Sequence, residues 1–141
     1  MSMQIGLWID HRKAVVVKLS EDRERVEILE SNMEKHIRPA GGSGSRSPYG
    51  PQDVMKEDTR ERKFQLHLSR WYDVVAEAVR FADELLVFGP GEGKNEFRKH
   101  VAGSALSGRI VGVETVDRMT TPQIAAKVRK HFIQPEYPVA M

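Results

Sequence analysis

The chain of 141 residues contains no cysteine. Disulfide bonds, thiolate zinc sites and cysteine nucleophiles are therefore excluded, and the absence fits a reducing compartment. No uninterrupted apolar run approaches the roughly 18 residues of a transmembrane helix. The first residues lack the basic stretch and apolar core of a signal peptide, so we expect a cytoplasmic protein with no membrane partner.

Neither sign of charge dominates, because 22 Lys and Arg residues stand against 20 Asp and Glu residues. The net charge of +2 and the pI near 9.0 are only mildly basic. A chain of this composition that binds nucleic acid must therefore do so through a local patch. The length suits a single domain over residues 1–141 with a core that needs no metal or disulfide.

Motifs for covalent, nucleotide and metal chemistry are also missing. The histidines show no pair at metal-ligand spacing, and the serines lack a nucleophile-elbow context. Three residues separate Gly89 from Gly93, and Asn95 follows Lys94, which departs from the Walker A pattern. Asp10 closes the first predicted strand, but the acids form no two-metal constellation. We expect no catalytic residue, no metal and no cofactor.

Hydrophobic periodicity predicts three strands joined by short turns, which makes them antiparallel. These strands are Met3–Ile9, Lys13–Leu19 and Arg25–Glu30. Helices and strands alternate in the second half, which indicates parallel pairing through crossovers. The predicted elements there are a helix with the stripe Phe64, Leu68, Trp71, Val75, Val79 and Ala82, a strand at Glu84–Phe88, a helix at Lys94–Ala102, a strand at Arg109–Val116, and a last helix capped by Thr120 or Thr121. The sequence thus predicts an α/β fold with a mixed sheet of five strands, three antiparallel and then two parallel, and about three helices.

Residues 31–62 show no sustained periodicity, and Gly, Ser and Pro dominate their centre, which predicts a long flexible loop. Residues 134–141 are predicted to be an irregular tail. Between Lys35 and Gln52 the loop carries cations and no acid, a composition that suits phosphate backbones. The candidate RNA contacts of the loop are Lys35, His36, Arg38, Gly41, Gly42, Ser43 and Arg46.

Two further groups of residues are candidates for supporting contacts. Gly91, Gly93 and Lys94 lie between a strand and a helix and could hold an anion, although a tight turn explains them as well. Lys127, Arg129 and Lys130 are a basic cluster on the last predicted helix, where a solvated helix face is the alternative.

The order of elements, the long loop after the third strand and the Gly89-Pro-Gly-Glu-Gly-Lys94 turn resemble the middle domain of archaeal and eukaryotic class I peptide-chain release factors and of Pelota. The chain looks most like the stand-alone bacterial relatives labelled host-attachment or translational-machinery proteins. The resemblance implies a ribonuclease H-like fold without that enzyme's active site. In the release factors the loop carries a Gly-Gly-Gln motif. Here Gly41 and Gly42 match it and Ser43 stands in place of the glutamine.

The resemblance implies a connection with the ribosome or tRNA and supplies no catalytic residue. The leading hypothesis is therefore a non-catalytic ribosome- or RNA-associated protein of the translational machinery that binds through its basic Gly-rich loop. One alternative is a protein-interaction or self-assembly module, including a homo-oligomer, that uses the loop or a sheet edge. Another is a metal-dependent nuclease or hydrolase that relies on Asp10.

Overall fold

The computed structural model describes residues 2–21, 23–31 and 50–133. The described residues form five strands and three α-helices, and a short 3-10 helix at Ala105–Arg109 precedes the last strand. The elements in chain order are β1 (Met3–Ile9), β2 (Lys13–Ser20), β3 (Arg23–Glu30), α1 (Gly50–Ala78), β4 (Glu84–Gly89), α2 (Gly93–His100), β5 (Ile110–Thr115) and α3 (Thr121–Phe132). No helix among these residues is long and apolar enough to cross a membrane.

The five strands form one mixed sheet in the order β3-β2-β1-β4-β5. The β1–β2 and β2–β3 pairs are antiparallel, whereas the β1–β4 and β4–β5 pairs are parallel. This arrangement confirms the predicted α/β fold, because short turns permit only antiparallel neighbours and helical crossovers produce parallel ones.

Hydrophobic cores lie on both faces of the sheet. One face of β1, with Ile5, Leu7 and Ile9, packs against α1 and α2. The other face carries Trp8, which packs with Val128 of α3 and the apolar side chains around it. The central strands are therefore buried on both sides, which explains why β4 is a continuous apolar run after its first residue.

Helix α1 begins earlier than its apolar stripe predicts. Residues 50–62 belong to the helix, so the predicted loop of residues 31–62 is wrong over that part. The described side chains from Thr59 to Lys63 are all exposed, and a helix without a buried face has no periodic stripe to recognise. Its many Lys, Glu, Arg and Gln residues favour helix through their intrinsic propensity, and the packed part that follows extends it.

The far end of α1 also differs from the prediction. The helix ends at Ala78, so Val79 and Ala82, which the periodicity assigns to the helical stripe, lie in the turn that follows. Both are fully buried there, because burial of a turn residue in the core does not require helical geometry. The remaining elements agree with the predicted bounds to within two residues.

Candidate functional site

Four strands end at the same edge of the sheet. Strands β1, β4 and β5 are mutually parallel, and β3 has the same direction because it is antiparallel to β2. We call this side the carboxyl edge. Ligands of open α/β sheets bind in the crevice outside the carboxyl ends of the strands, so its polar side chains are the candidate site.

Asp10 organises the turn between β1 and β2. One oxygen of its carboxylate accepts hydrogen bonds from the backbone N–H groups of Arg12 at 2.8 Å and Lys13 at 2.7 Å. Its carbonyl accepts a hydrogen bond from the indole of Trp71 at 3.1 Å, which attaches α1 to the turn. The carboxylate that closes the first strand therefore stabilises the turn, as Asx-type turns do.

The glycine-rich turn after β4 packs backbone against backbone on the β1–β2 turn. A Cβ atom on Gly89 would lie 2.3 Å from the carbonyl oxygen of Ile9, and one on Gly93 would lie 3.1 Å from Cα of Asp10. Gly91 adopts φ +66°, a left-handed conformation that glycine accepts without strain. These contacts explain the three glycines by close approach and turn geometry.

Lys94 is directed inward rather than toward an open anion site. The residue is only 4% exposed, and its Nζ donates to the carbonyl oxygen of Gly91 in the same turn. Helix α2 also places Glu92 at its N-cap and Glu96 in its first turn. An anion at this helix terminus would meet both carboxylates, which favours the tight-turn interpretation of Gly91, Gly93 and Lys94.

Glu96 accepts two side-chain hydrogen bonds at the carboxyl edge. Tyr72 donates its hydroxyl to Oε1 of Glu96 at 2.7 Å, and Nε2 of His11 lies 2.9 Å from the same oxygen. Burial raises the pKa of Tyr72 far above its ordinary value of 10.0, and the hydrogen bond to Glu96 raises it further. The Tyr72 hydroxyl therefore keeps its proton and acts as a donor.

Ser31, which directly follows β3, is held by several hydrogen bonds. Its hydroxyl donates to the carbonyl of His11 at 2.8 Å, and its N–H donates to the carbonyl of Arg12 at 2.9 Å. The carbonyl of Ser31 lies 2.9 Å from Nε2 of His67 on α1, so this imidazole nitrogen is the donor. The residue that follows β3 is thus anchored at the carboxyl edge.

The N-terminal part of α1 extends past the same edge. The ring of Phe64 packs edge-on against the ring of His11, whereas Val79 and Ala82 lie at the other end of the sheet, after the helix. From Gly50 to Lys63 the helix adds roughly 21 Å of length beyond Phe64. Arg60, Arg62 and Lys63 are exposed on this extension.

The predicted contacts of the loop and of α3 have different outcomes. Lys35, His36, Arg38, Gly41, Gly42, Ser43 and Arg46 lie outside the described residues, as does the tail at 134–141. On α3, Lys127 forms an ion pair with Glu114 at 2.7 Å, and Arg129 binds both oxygens of Glu24 at 2.8 and 3.0 Å.

Arg129 of α3 lies away from Ser31. Glu24 is at the start of β3 and Ser31 follows its end, a separation of roughly 23 Å along an extended strand. Arg129 therefore lies at the opposite edge of the sheet from Ser31. Lys127, by contrast, pairs with Glu114 next to the carboxyl end of β5, so the cations of α3 do not all lie at the same end of the sheet.

Sequence reasoning did not identify His11, Tyr72 and Glu96 as a cluster. His11 and Glu96 are 85 positions apart, and only the β1–β4 pairing brings them together. The available signal was the placement of Asp10 and His11 directly after one buried strand and of Glu96 shortly after another. Among the described residues, no group of three or more His, Asp or Glu side chains could hold a metal ion.

No protein-family model matches the sequence, and no curated protein matches it either. The Pelota protein of Thermoplasma acidophilum matches in structure with a TM-score of 0.54, over 94% of this chain and 33% of that chain, at 10% identity. The chain shares the fold of one part of Pelota. An archaeal translation termination factor, aRF1, also matches over 89% of this chain and 37% of that chain, with 12% identity and a TM-score of 0.47.

These matches concern architecture, because the identities are low. The chain spans about a third of the length of the Pelota protein that it matches. The fold relationship to Pelota that the order of elements predicted is thereby confirmed. The shared fold does not carry an activity with it, since function resides in sites rather than in folds.

Proposed function

We propose that the protein is a non-catalytic component of the translational machinery that associates with ribosomes or tRNA in the cytoplasm. The observation that carries the proposal is the anchoring of the chain at Ser31, directly before the basic Gly-rich segment. The fold shared with Pelota agrees with the resemblance in the order of elements and supports the same class of function.

The charge of the segment suits a phosphate backbone. Lys35, Arg38 and Arg46 lie in a stretch without acids that extends to Gln52. The helical extension that follows exposes Arg60, Arg62 and Lys63 on the same side of the sheet, but residues 53–63 contain as many acids as cations, so the net positive charge comes from the segment itself. Cations that neutralise phosphates provide most of the affinity of proteins for RNA without sequence preference.

Anchoring increases the contribution that these cations make to binding. A segment whose start is fixed by Ser31 and whose end continues into helix α1 loses less conformational freedom on binding than a free tail of the same composition. The absence of a glutamine at Ser43, after Gly41 and Gly42, supports association without hydrolysis of peptidyl-tRNA.

The first prediction concerns the variant in which Lys35, Arg38 and Arg46 are all changed to Ala. We expect its association with purified ribosomes and with bulk tRNA to weaken, and the dependence of log affinity on log salt to become shallower by about one unit per lost phosphate contact. Co-sedimentation with ribosomes and filter binding of tRNA, each over a series of salt concentrations, measure both effects.

A matched control removes the same number of cations elsewhere. Arg23, Arg98 and Lys99 are exposed, and the last two lie in the final turn of α2, away from the carboxyl edge. Their triple change to Ala should leave the salt dependence nearly unchanged. Equal losses in both variants would show that net charge alone matters, and unchanged binding in the first variant would exclude the loop.

A further inference from the structure

Strand β3 is an edge strand whose outer side has no neighbour among the described residues. It pairs only with β2, over its full length from Arg23 to Glu30. An edge of this length offers a row of backbone donors and acceptors to another chain. Neither proline nor a bulge interrupts β3, but five of its eight residues are charged, so the arrangement of these charges decides which strand can pair with it.

Exposed apolar side chains accompany this edge on one face of the sheet. Val26 and Ile28 are 37% and 52% exposed, and they pair with Val17 and Val15, whose side chains belong to the core under α3. Ile133 is 57% exposed and lies one helical turn beyond Arg129, which binds Glu24 of β3. Apolar surface thus continues from the edge strand toward the end of α3.

The charges on β3 are arranged so that the strand complements itself. In antiparallel pairing of two copies with Val26 opposite Val26, Arg25 of each copy faces Glu27 of the other. Opposite charges directly across an antiparallel pair stabilise it. Within its own chain, Arg25 stands opposite Lys18, whose ammonium pairs with Glu27 at 3.3 Å.

The two neighbouring registers place a charged residue on the axis. Centring on Glu27 opposes Glu27 with Glu27 and Glu24 with Glu30, whereas centring on Arg25 opposes Arg25 with Arg25 and forms two Arg23–Glu27 pairs. Like charges at directly opposed positions are destabilising. One register therefore joins the apolar residue Val26 at the centre with two flanking ion pairs.

We propose that β3 is the interface of a symmetric dimer, in which two copies of the chain join edge to edge through antiparallel β3 strands centred on Val26. The two sheets become one continuous sheet, and the exposed Val26 and Ile28 of both copies lie side by side between the two α3 helices. The two-fold axis of the dimer passes between the two Val26 residues. Both copies therefore contribute the same surface, which makes the interface isologous. This proposal is independent of the ribosome-associated function.

Disulfide trapping tests the register directly, because the chain contains no cysteine of its own. Opposed Cα atoms of an antiparallel pair are about 4.5–5.5 Å apart, within the range that a disulfide spans. The variant Val26→Cys should therefore form a disulfide-linked dimer under mild oxidation. In Ile28→Cys the two introduced thiols would be roughly 13 Å apart along the strands, so this matched control should remain monomeric on a non-reducing gel.

The difference in exposure between Val26 and Ile28 distinguishes specific pairing from random collision. Ile28 is more exposed than Val26, so random collisions would link the Ile28→Cys variant in preference to the Val26→Cys variant. Efficient linking of Val26→Cys alone supports the proposal. Preferential linking of Ile28→Cys, or linking of neither variant, would overturn it.

Charge exchange provides a second test that leaves the backbone intact. Arg25→Glu and Glu27→Arg should each weaken the dimer about tenfold in sedimentation equilibrium, because each places two like-charged pairs across the axis. An equimolar mixture of the two variants should dimerise again, since the pairs between them are of opposite sign. Arg23→Glu is the control, because Arg23 faces Leu29 in this register and its reversal should have little effect.

The mixture of the two charge variants distinguishes strand pairing from damage to the fold. If either variant failed to dimerise because it was misfolded, mixing the two would not restore the dimer. Recovery of the dimer in the mixture therefore supports the proposed pairing of the β3 strands. A wild-type chain that remains monomeric at every concentration, or a mixture that does not recover, would overturn the proposal. The ribosome association of Arg25→Glu is expected to persist, so the two proposals fail separately.

Discussion

Helix α3 packs directly on the backbone of β1 at Gly6. A Cβ atom built on Gly6 would lie 2.1 Å from Cγ2 of Val128 and 2.8 Å from its Cγ1. Valine is restricted to few rotamers in a helix, so the whole of α3 would have to move away. We expect Gly6→Ala to lower the free energy of unfolding by about 1–3 kcal/mol or more, as measured by urea denaturation.

The double variant Gly6→Ala/Val128→Ala separates this clash from a general intolerance of β1. Removing the Val128 methyl groups should restore part of the stability lost in Gly6→Ala, which appears as a favourable coupling between the two changes. Gly103→Ala is the control, because no atom lies within 4 Å of the added Cβ. Additive losses would contradict the proposed contact.

Tyr72 makes the stability of the chain sensitive to high pH. Its pKa in the folded state is raised above the ordinary value of 10.0 by burial and by the hydrogen bond to Glu96. The neutral hydroxyl therefore contributes stability that is fully present below pH 10 and is lost progressively as the pH rises further, because the unfolded chain releases its proton first.

We expect the free energy of unfolding to fall more steeply between about pH 10 and 11.5 in the wild type than in Tyr72→Phe. The difference in slope is at most about 1.4 kcal/mol per pH unit, the limit for one proton. Urea denaturation at a series of alkaline pH values provides the measurement. Equal slopes would mean that the folded pKa of Tyr72 is not raised.

At the scale of the element, the sequence predicts the bounds of those strands and helices whose own residues determine them. Strands β1 and β2 are rich in β-branched and alternating apolar residues, and α3 begins at Thr120 with a full capping box, so their bounds follow from the residues themselves. From Thr59 to Lys63 the side chains of α1 are exposed and form no apolar stripe. A periodicity argument therefore cannot detect this part of the helix.

Of the candidate site, the sequence could predict the glycine turn but not the contacts between side chains. The glycine turn at Gly89–Lys94 is visible in sequence because close approach of two backbones requires glycine. The direction of Lys94 into its own turn and the convergence of His11 and Tyr72 on Glu96 depend on which strands become neighbours. Such contacts join positions that are distant along the chain, and single-sequence patterns carry no information about them.

At the scale of the whole molecule, the packing of the described residues is built from two parts of the chain. The two cores of the described residues are built from residues 3–29 and 64–132, on either side of the basic Gly-rich segment. Replacing residues 35–46 with a Gly-Ser sequence of equal length should therefore change the free energy of unfolding by less than about 0.5 kcal/mol. The same replacement should remove the salt-sensitive association with ribosomes, as measured by co-sedimentation.

A second replacement that restores only Lys35, Arg38 and Arg46 within the Gly-Ser sequence distinguishes charge from specific contact. Because phosphate neutralisation depends on the number of cations and little on their neighbours, this chain should recover most of the association. Failure to recover would assign the binding to other side chains of the segment, such as His36. If the variant with the Gly-Ser sequence still binds, the interface must lie on the packed body instead. The exposed Arg60, Arg62 and Lys63 of α1 lie there, on the side of the carboxyl edge.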